Sequence, residues 1–163
     1  TLYLDMDGVI CDFQTKFQEI MPELPDHQRF RHAVMDHEIF LHLKPMPDAL
    51  KLIHHVATLR NINIEILTSV GTFDPERGLA AKLQKRAWLD RHNVFFKANF
   101  VRCKPEKANF ANKNTILIDD SPGCIDPFIK KGGWGILHTS AVESIEKLEE
   151  TFRKIKEHLA YTT

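Results

Sequence analysis

Residues 2–13 read LYLDMDGVICDF. Three apolar or aromatic residues, Leu2–Leu4, lead into two acids one residue apart, Asp5 and Asp7, and then into Gly8. A short apolar run closed by turn-forming residues is the pattern of a buried strand. Two carboxylates at the tip of such a strand repel each other, and desolvating either is costly unless something neutralises it. The stretch therefore predicts a buried strand that delivers a carboxylate pair to a divalent cation and a phosphate, with Gly8 allowing a tight backbone just beyond.

Working outward, short apolar runs alternate with helical stretches, the pattern of a mostly parallel sheet with helices on its faces. INIEILTS (62–69), FKANFV (96–101), TILIDD (115–120) and WGILHT (134–139) are the further predicted strands. Helices are predicted over Phe13–Met21, in one or two pieces over His27–His42, and over Asp48–Arg60, Leu79–His92, Pro105–Ala111 and Ala141–Leu159. Asp48–Arg60 places Leu50, Ile53, Val56 and Ala57 on one side. GTFDPERG (71–78) reads as a loop, and Ser121 and Pro122 as a helix cap and first-turn proline. The fold class is α/β, a Rossmann-like parallel sheet flanked by helices. Three strands end in polar residues, at Asp5–Asp7, Thr68–Ser69 and Asp119–Asp120. In open α/β sheets ligands bind at the carboxyl ends of the strands, so these distant residues are expected to converge.

Composition narrows the partners. The 163 residues include 22 Lys plus Arg against 22 Asp plus Glu, which gives no basic excess for a nucleic-acid partner. No apolar run reaches the roughly 18 to 20 residues that span a bilayer, so no membrane partner is expected. Cys11, Cys103 and Cys124 are odd in number and widely spaced, which fits a reducing cytoplasm rather than a disulfide framework. Nine scattered histidines form no H-E-x-x-H motif and read mostly as surface residues.

Attack on a phosphate monoester needs a cation, a nucleophile and a proton donor. Mg²⁺ suits the first, since it takes one or two carboxylates plus phosphate and water. An Asp nucleophile would form an aspartyl-phosphate, and a second acid would protonate the leaving oxygen; Asp5 and Asp7 can supply both. In DDSP, adjacent residues at a strand end point opposite ways, so only one of Asp119 and Asp120 is expected to reach the metal directly. Ser121 is expected to serve as the N-cap, which leaves both acids free for the site. LTS offers hydroxyls and backbone N–H groups to a phosphate, and Lys85, Lys104 and Lys107 are the lysines that could hold its charge.

With these parts in chain order, the sequence resembles the haloacid dehalogenase (HAD) superfamily of phosphotransferases: DMDGV, ILTS, a downstream lysine and ILIDDSP match its four motifs. A closer likeness, carried by LDMDGVICDF, PMPDALKLIHHVA, IEILTS, QKRAWL and ILIDDSP, is to the 5′(3′)-deoxyribonucleotidase branch. The resemblance implies Asp5 as nucleophile and Asp7 as acid/base. It implies a metal held by Asp5, Asp7 (through its carbonyl oxygen) and Asp120, with Asp119 orienting the lysine or a metal-bound water. It assigns the phosphate to Thr68, Ser69 and Lys107, with Lys85 as second choice, and Phe13 to the substrate pocket. A single domain over 1–163 with a small helical cap insert over 14–44 is implied.

The insert is shorter than that branch's cap and carries only Phe17, Phe30 and Phe40 as aromatics, which weakens the case for base recognition. The expected function is a Mg²⁺-dependent phosphomonoesterase acting on a small phosphorylated metabolite, a nucleoside monophosphate first among them. Two rivals are a phosphatase for polynucleotide ends or phosphoproteins, served by an open site, and a non-catalytic nucleotide-binding protein. The loop after LTS reads first as a solvated connector, from which Phe73 and Arg77 could touch a substrate, and Trp88 and Trp134 read as core.

Overall fold

The apolar runs become strands because burial on both faces of a sheet removes every side chain from water. In the computed structural model, which describes residues 1–162, all of β1 (Leu2–Leu4) and of a later strand, Ile116–Asp119, is buried. The elements between them are β2 (Cys11–Asp12), α1 (Phe13–Gln18), α2 (Asp26–Met35), a 3-10 turn at Ile39–Leu41, β3 (Lys44–Pro45), α3 (Ala49–Ala57), β4 (Ile64–Ser69), α4 (Pro75–Arg91), β5 (Lys97–Val101) and a 3-10 helix at Lys104–Phe110. Ile116–Asp119 is β6, followed by α5 (Pro122–Lys130), β7 (Trp134–Leu137) and α6 (Ala141–Thr162).

Five strands form one parallel sheet in the order β5-β4-β1-β6-β7, with Leu4 level with Ile66 on one side and Ile118 on the other. β2 and β3 pair separately as a short antiparallel ladder. Strand alternation splits the core in two. Leu2, Leu4, Ile66, Ile116 and Ile118 pack with Leu52 and Val56 of α3, Trp88 of α4 and Leu148 of α6. Tyr3, Leu67 and Leu117 face the other way, onto Cys124, Ile125 and Phe128 of α5. The expected class, a parallel sheet covered by helices with a small helical insert after the first strand, is the one observed. Among the described residues no helix is long and apolar enough to cross a membrane.

Several expected elements shift for identifiable reasons. The helix from Phe13 stops at Gln18, and the chain then turns through Met21 at φ 41°, so it does not run on to Pro22. On α3 the buried face is Ala49, Leu52 and Val56, while Leu50 is 64% exposed, a quarter-turn error in the expected face. The second half of the 71–78 loop is already helix: Asp74 accepts the Arg77 N–H at 2.8 Å and Pro75 sits in the first turn. Trp88 is core, donating its indole N–H to the Leu43 carbonyl at 2.8 Å, whereas Trp134 is only partly buried. All three cysteines are free. His138, unlike the surface histidines, is buried with Nδ1 2.6 Å from the Ser144 hydroxyl.

Candidate active site

The parallel sheet brings the carboxyl ends of β1, β4 and β6 to one rim, where a cavity of about 450 Å³ opens. Asp5 follows β1 and its N–H donates to the Ile118 carbonyl at 3.0 Å, which registers it beside the end of β6. Carboxylate oxygens of Asp5, Asp119 and Asp120 lie within 4.8 Å of one another. The chain then folds back at Gly8, whose φ is +83°. A Cβ at that position would overlap the Asp120 carboxylate, so glycine is needed both for the backbone and for the approach of the acid.

Four carboxylates thus meet two buried lysines, Lys85 and Lys107. Lys107, from the 3-10 helix, donates to Asp5 at 2.8 Å and to Asp119 at 2.7 Å. Burial works against its charge, but Asp5 and Asp119 outweigh that and hold its pKa above the usual lysine value. Lys85 donates to Asp7 at 2.9 Å, to the Thr68 hydroxyl at 2.7 Å and to the Ser69 carbonyl at 3.0 Å, with its ammonium 4.5 Å from the centre of the Phe40 ring.

Three of the acids hold their protons more tightly than they would in water. Burial, reinforced by Asp5, raises the pKa of Asp7 despite Lys85. Its Oδ1 is buried with no hydrogen-bond partner. Asp119 is pushed up to about 6 by burial and then by Asp5, with Lys107 opposing. Asp120 is pushed up to about 7, by burial and then by Asp5 and Asp119. Three oxygen donors, crowded and short of positive charge, are the chemistry that a hard divalent cation relieves, so Asp5, Asp119 and Asp120 fit such an ion.

β6 ends at Asp119, and Asp119 and Asp120 each bring a carboxylate oxygen to the cluster. One expectation about DDSP fails. Ser121 is the N-cap position but makes no side-chain cap bond; its hydroxyl accepts from Lys104 at 3.2 Å. Asp119 Oδ1 accepts the Ser121 N–H at 2.9 Å, a local turn role that sequence reasoning had given to the serine.

Of the expected phosphate residues, Ser69 and Lys107 line the cavity, while Thr68 and Lys85 do not. Thr68 is fully buried, its hydroxyl occupied by Lys85, and the Ser69 hydroxyl accepts the Gly71 N–H at 3.0 Å. Phe13 lines the cavity with Phe30 and Phe40: Phe13 stacks on Phe40 at 5.6 Å, and Phe30 meets Phe40 edge-on at 6.3 Å. The short insert thus sets two of its three aromatics, Phe30 and Phe40, beside Phe13 in one wall. Gly71, at φ +76°, lets the Phe30 ring close on the end of β4. Across the cavity, Phe73 is 63% exposed with the Arg102 guanidinium 4.7 Å from its ring centre, and Arg102 is tied to Glu106 at 2.7 Å. Arg77 does not line the cavity. Sequence reasoning did not single out Arg102; an arginine just past a strand tip, beside the candidate lysines, was the available signal.

A family model described as 5′ nucleotidase, deoxy (pyrimidine), cytosolic type C protein matches residues 17–153. That span contains Lys85, Lys107, Asp119 and Asp120 and begins after Asp5 and Asp7. Among solved structures, L-2-haloacid dehalogenase from Xanthobacter autotrophicus is similar with a TM-score of 0.51 and 12% identity, over 82% of this chain and 75% of that one. At that identity the likeness is one of fold, the HAD-like core. No curated protein sequence matches the chain.

Proposed function

The chain belongs to the cytosolic type C 5′-nucleotidase family, phosphatase-type hydrolases of the HAD fold, and from that premise we propose that it is a Mg²⁺-dependent nucleotidase that works through an aspartyl-phosphate on Asp5. One observation carries the reading: Asp7, two residues from Asp5, has a buried Oδ1 without a partner and a pKa raised by burial. A carboxyl biased in this way toward its protonated form is suited to give a proton to a leaving oxygen.

Asp5 attacks phosphorus and the ester P–O bond breaks, while Asp7 gives its proton to the departing sugar oxygen. Water then attacks the aspartyl-phosphate, Asp7 takes its proton, and the P–O bond to Asp5 breaks, which restores both carboxyls and releases phosphate. Lys85 stabilises Asp7 once it is ionised, and Lys107 holds Asp5 in place. Asp5, Asp119 and Asp120, with the Asp7 carbonyl, would hold Mg²⁺. When bound, the ion supplies positive charge that offsets the phosphate dianion. Ser69 and Lys107 meet the phosphate, and the Phe13, Phe30 and Phe40 rings face the base. Residues 14–44 serve as a cap insert within one domain, and the three free thiols suit a reducing cytoplasm. The substrate is a nucleoside monophosphate, a deoxypyrimidine one by family.

Phosphate release from a panel of nucleoside 5′- and 3′-monophosphates, with and without Mg²⁺, tests the proposal. Asp5→Asn is expected to abolish turnover, including that of p-nitrophenyl phosphate, with little change in the thermal midpoint, because Lys107 keeps Asp119 as its partner. Wild-type-like turnover by that variant would refute the assignment.

A further inference from the structure

One face of α4 reaches across to the insert. Gln84, Trp88 and Arg91 recur at helical spacing, and each places its polar end on the insert's backbone. The Gln84 amide donates to the Val34 carbonyl at 2.9 Å, and its oxygen accepts the Phe40 N–H at 3.3 Å. Trp88 donates to the Leu43 carbonyl at 2.8 Å and Arg91 to the Leu41 carbonyl at 3.0 Å. Gln84 is only 7% exposed. Its two bonds join the last turn of α2 to the 3-10 turn that carries Phe40. Between them lies Glu38 at φ 47°, a conformation a non-glycine residue keeps only when its surroundings hold it there.

A buried amide is costly without partners, and an apolar side chain would fill the same space. A buried amide with both partners in place selects one arrangement of what it joins. Here that is Phe40, which stacks on Phe13, meets Phe30 edge-on and covers Lys85.

We propose that Gln84 is a positioning residue that fixes residues 34–43 as a standing wall, so that Phe13, Phe30 and Phe40 are preset for a planar base and the insert does not act as a closing lid. This rests on the nucleotidase reading for its ligand but not for its mechanics. A preset wall takes the ordering of the rings out of the binding step, so its loss falls on affinity for ligands that carry a ring.

The test combines amide exchange at Phe40 with kinetics on two substrates: a pyrimidine deoxynucleoside 5′-monophosphate, and acetyl phosphate, which has no ring. In wild type, Phe40 is expected to be protected without ligand, and adding inorganic phosphate with a pyrimidine deoxynucleoside should leave its exchange unchanged. Gln84→Leu keeps the bulk and removes both bonds. It should speed Phe40 exchange and raise KM for the nucleotide, each about tenfold, with kcat kept and acetyl phosphate kinetics within about twofold. Gln84→Glu, which keeps the acceptor for Phe40 and loses the donor to Val34, should fall between, and it carries the test if Gln84→Leu does not fold. A wild-type Phe40 amide that exchanges freely and slows only with ligand would overturn the proposal, as would equal effects on both substrates or an unchanged nucleotide KM. If wild type turns over acetyl phosphate and no nucleotide, the nucleotide reading fails, while exchange at Phe40 still decides whether the wall stands fixed.

Discussion

Lys107 and Lys85 look interchangeable in the sequence, each a lysine on the helical stretch after a strand, yet they answer to different carboxylates. Lys107 spans Asp5 and Asp119, and Lys85 holds Asp7 from behind β4. No spacing rule separates them, because the choice depends on which side of β4 each helix enters. Lys107 is almost wholly buried, so Lys107→Met leaves two buried acids without a counter-charge. Breaking a buried pair from one side costs about 3 to 5 kcal/mol. Urea unfolding in the presence of a chelator should show a loss near the lower figure, and Mg²⁺ should recover much of it by replacing the missing charge. A loss unaffected by Mg²⁺ would separate Lys107 from the cation cluster. Gly8 carries the second prediction at this scale. A methyl group there meets the Asp120 carboxylate and sits on a left-handed backbone, which alone costs about 1 to 2 kcal/mol. Gly8→Ala should therefore weaken Mg²⁺ binding by calorimetry more than it lowers the unfolding midpoint. Wild-type Mg²⁺ affinity in that variant would mean that Asp120 can move away without consequence for the ion.

Among the elements, β1 and β6 were legible because burial on two faces leaves unbroken apolar runs, and the polar tips of β1, β4 and β6 marked the rim of the site. What escaped was set by local chemistry. The helix α4 starts at Pro75, inside a stretch rich in turn formers, because Asp74 caps it and the proline costs nothing in a first turn. On α3, six apolar residues could be grouped into more than one face, and only the positions of α6 and the sheet decide that Leu50 faces solvent. The aromatic wall was hidden for a related reason: Phe13, Phe30 and Phe40 lie on three separate pieces of backbone, and the bonds that assemble them come from α4, some 44 to 50 residues further along. The cap of α4 is testable in isolation. Asp74→Ala removes the bond to the Arg77 N–H and should cost about 1 kcal/mol in urea unfolding. Because Asp74 follows Phe73, at the cavity rim, the same change should raise KM modestly and leave kcat alone; an unchanged midpoint would show that Pro75 suffices to start the helix.

Over the whole molecule, the sheet gathers more negative charge at one rim than its lysines offset, and the consequence is a stability that depends on pH and cation together. Asp119 and Asp120 hold protons up to about 6 and about 7 in the folded chain. In an unfolded chain an aspartate releases its proton near 3.9. Between those limits the folded state binds more protons than the unfolded one, so these two acids contribute stability at low pH that is lost as pH rises through about 6 to 7. His138 and His92 work in the opposite sense, since burial lowers both of their pKa values and the folded chain gains on them as pH rises. The raw thermal midpoint therefore mixes the two trends, and the difference in midpoint with and without Mg²⁺ at each pH removes the histidine part. That difference should be small near pH 5, grow as pH climbs to about 7 and level off above it, because an ion that must displace one proton loses about tenfold in affinity, or about 1.4 kcal/mol, for each unit by which the pH lies below the acid's pKa. Proton release on adding Mg²⁺ at about pH 6.5, read with a pH indicator, gives the same quantity directly. A Mg²⁺-induced shift that stays constant across this range, with no protons released, would mean that the ion, if it binds at all, is held away from Asp119 and Asp120.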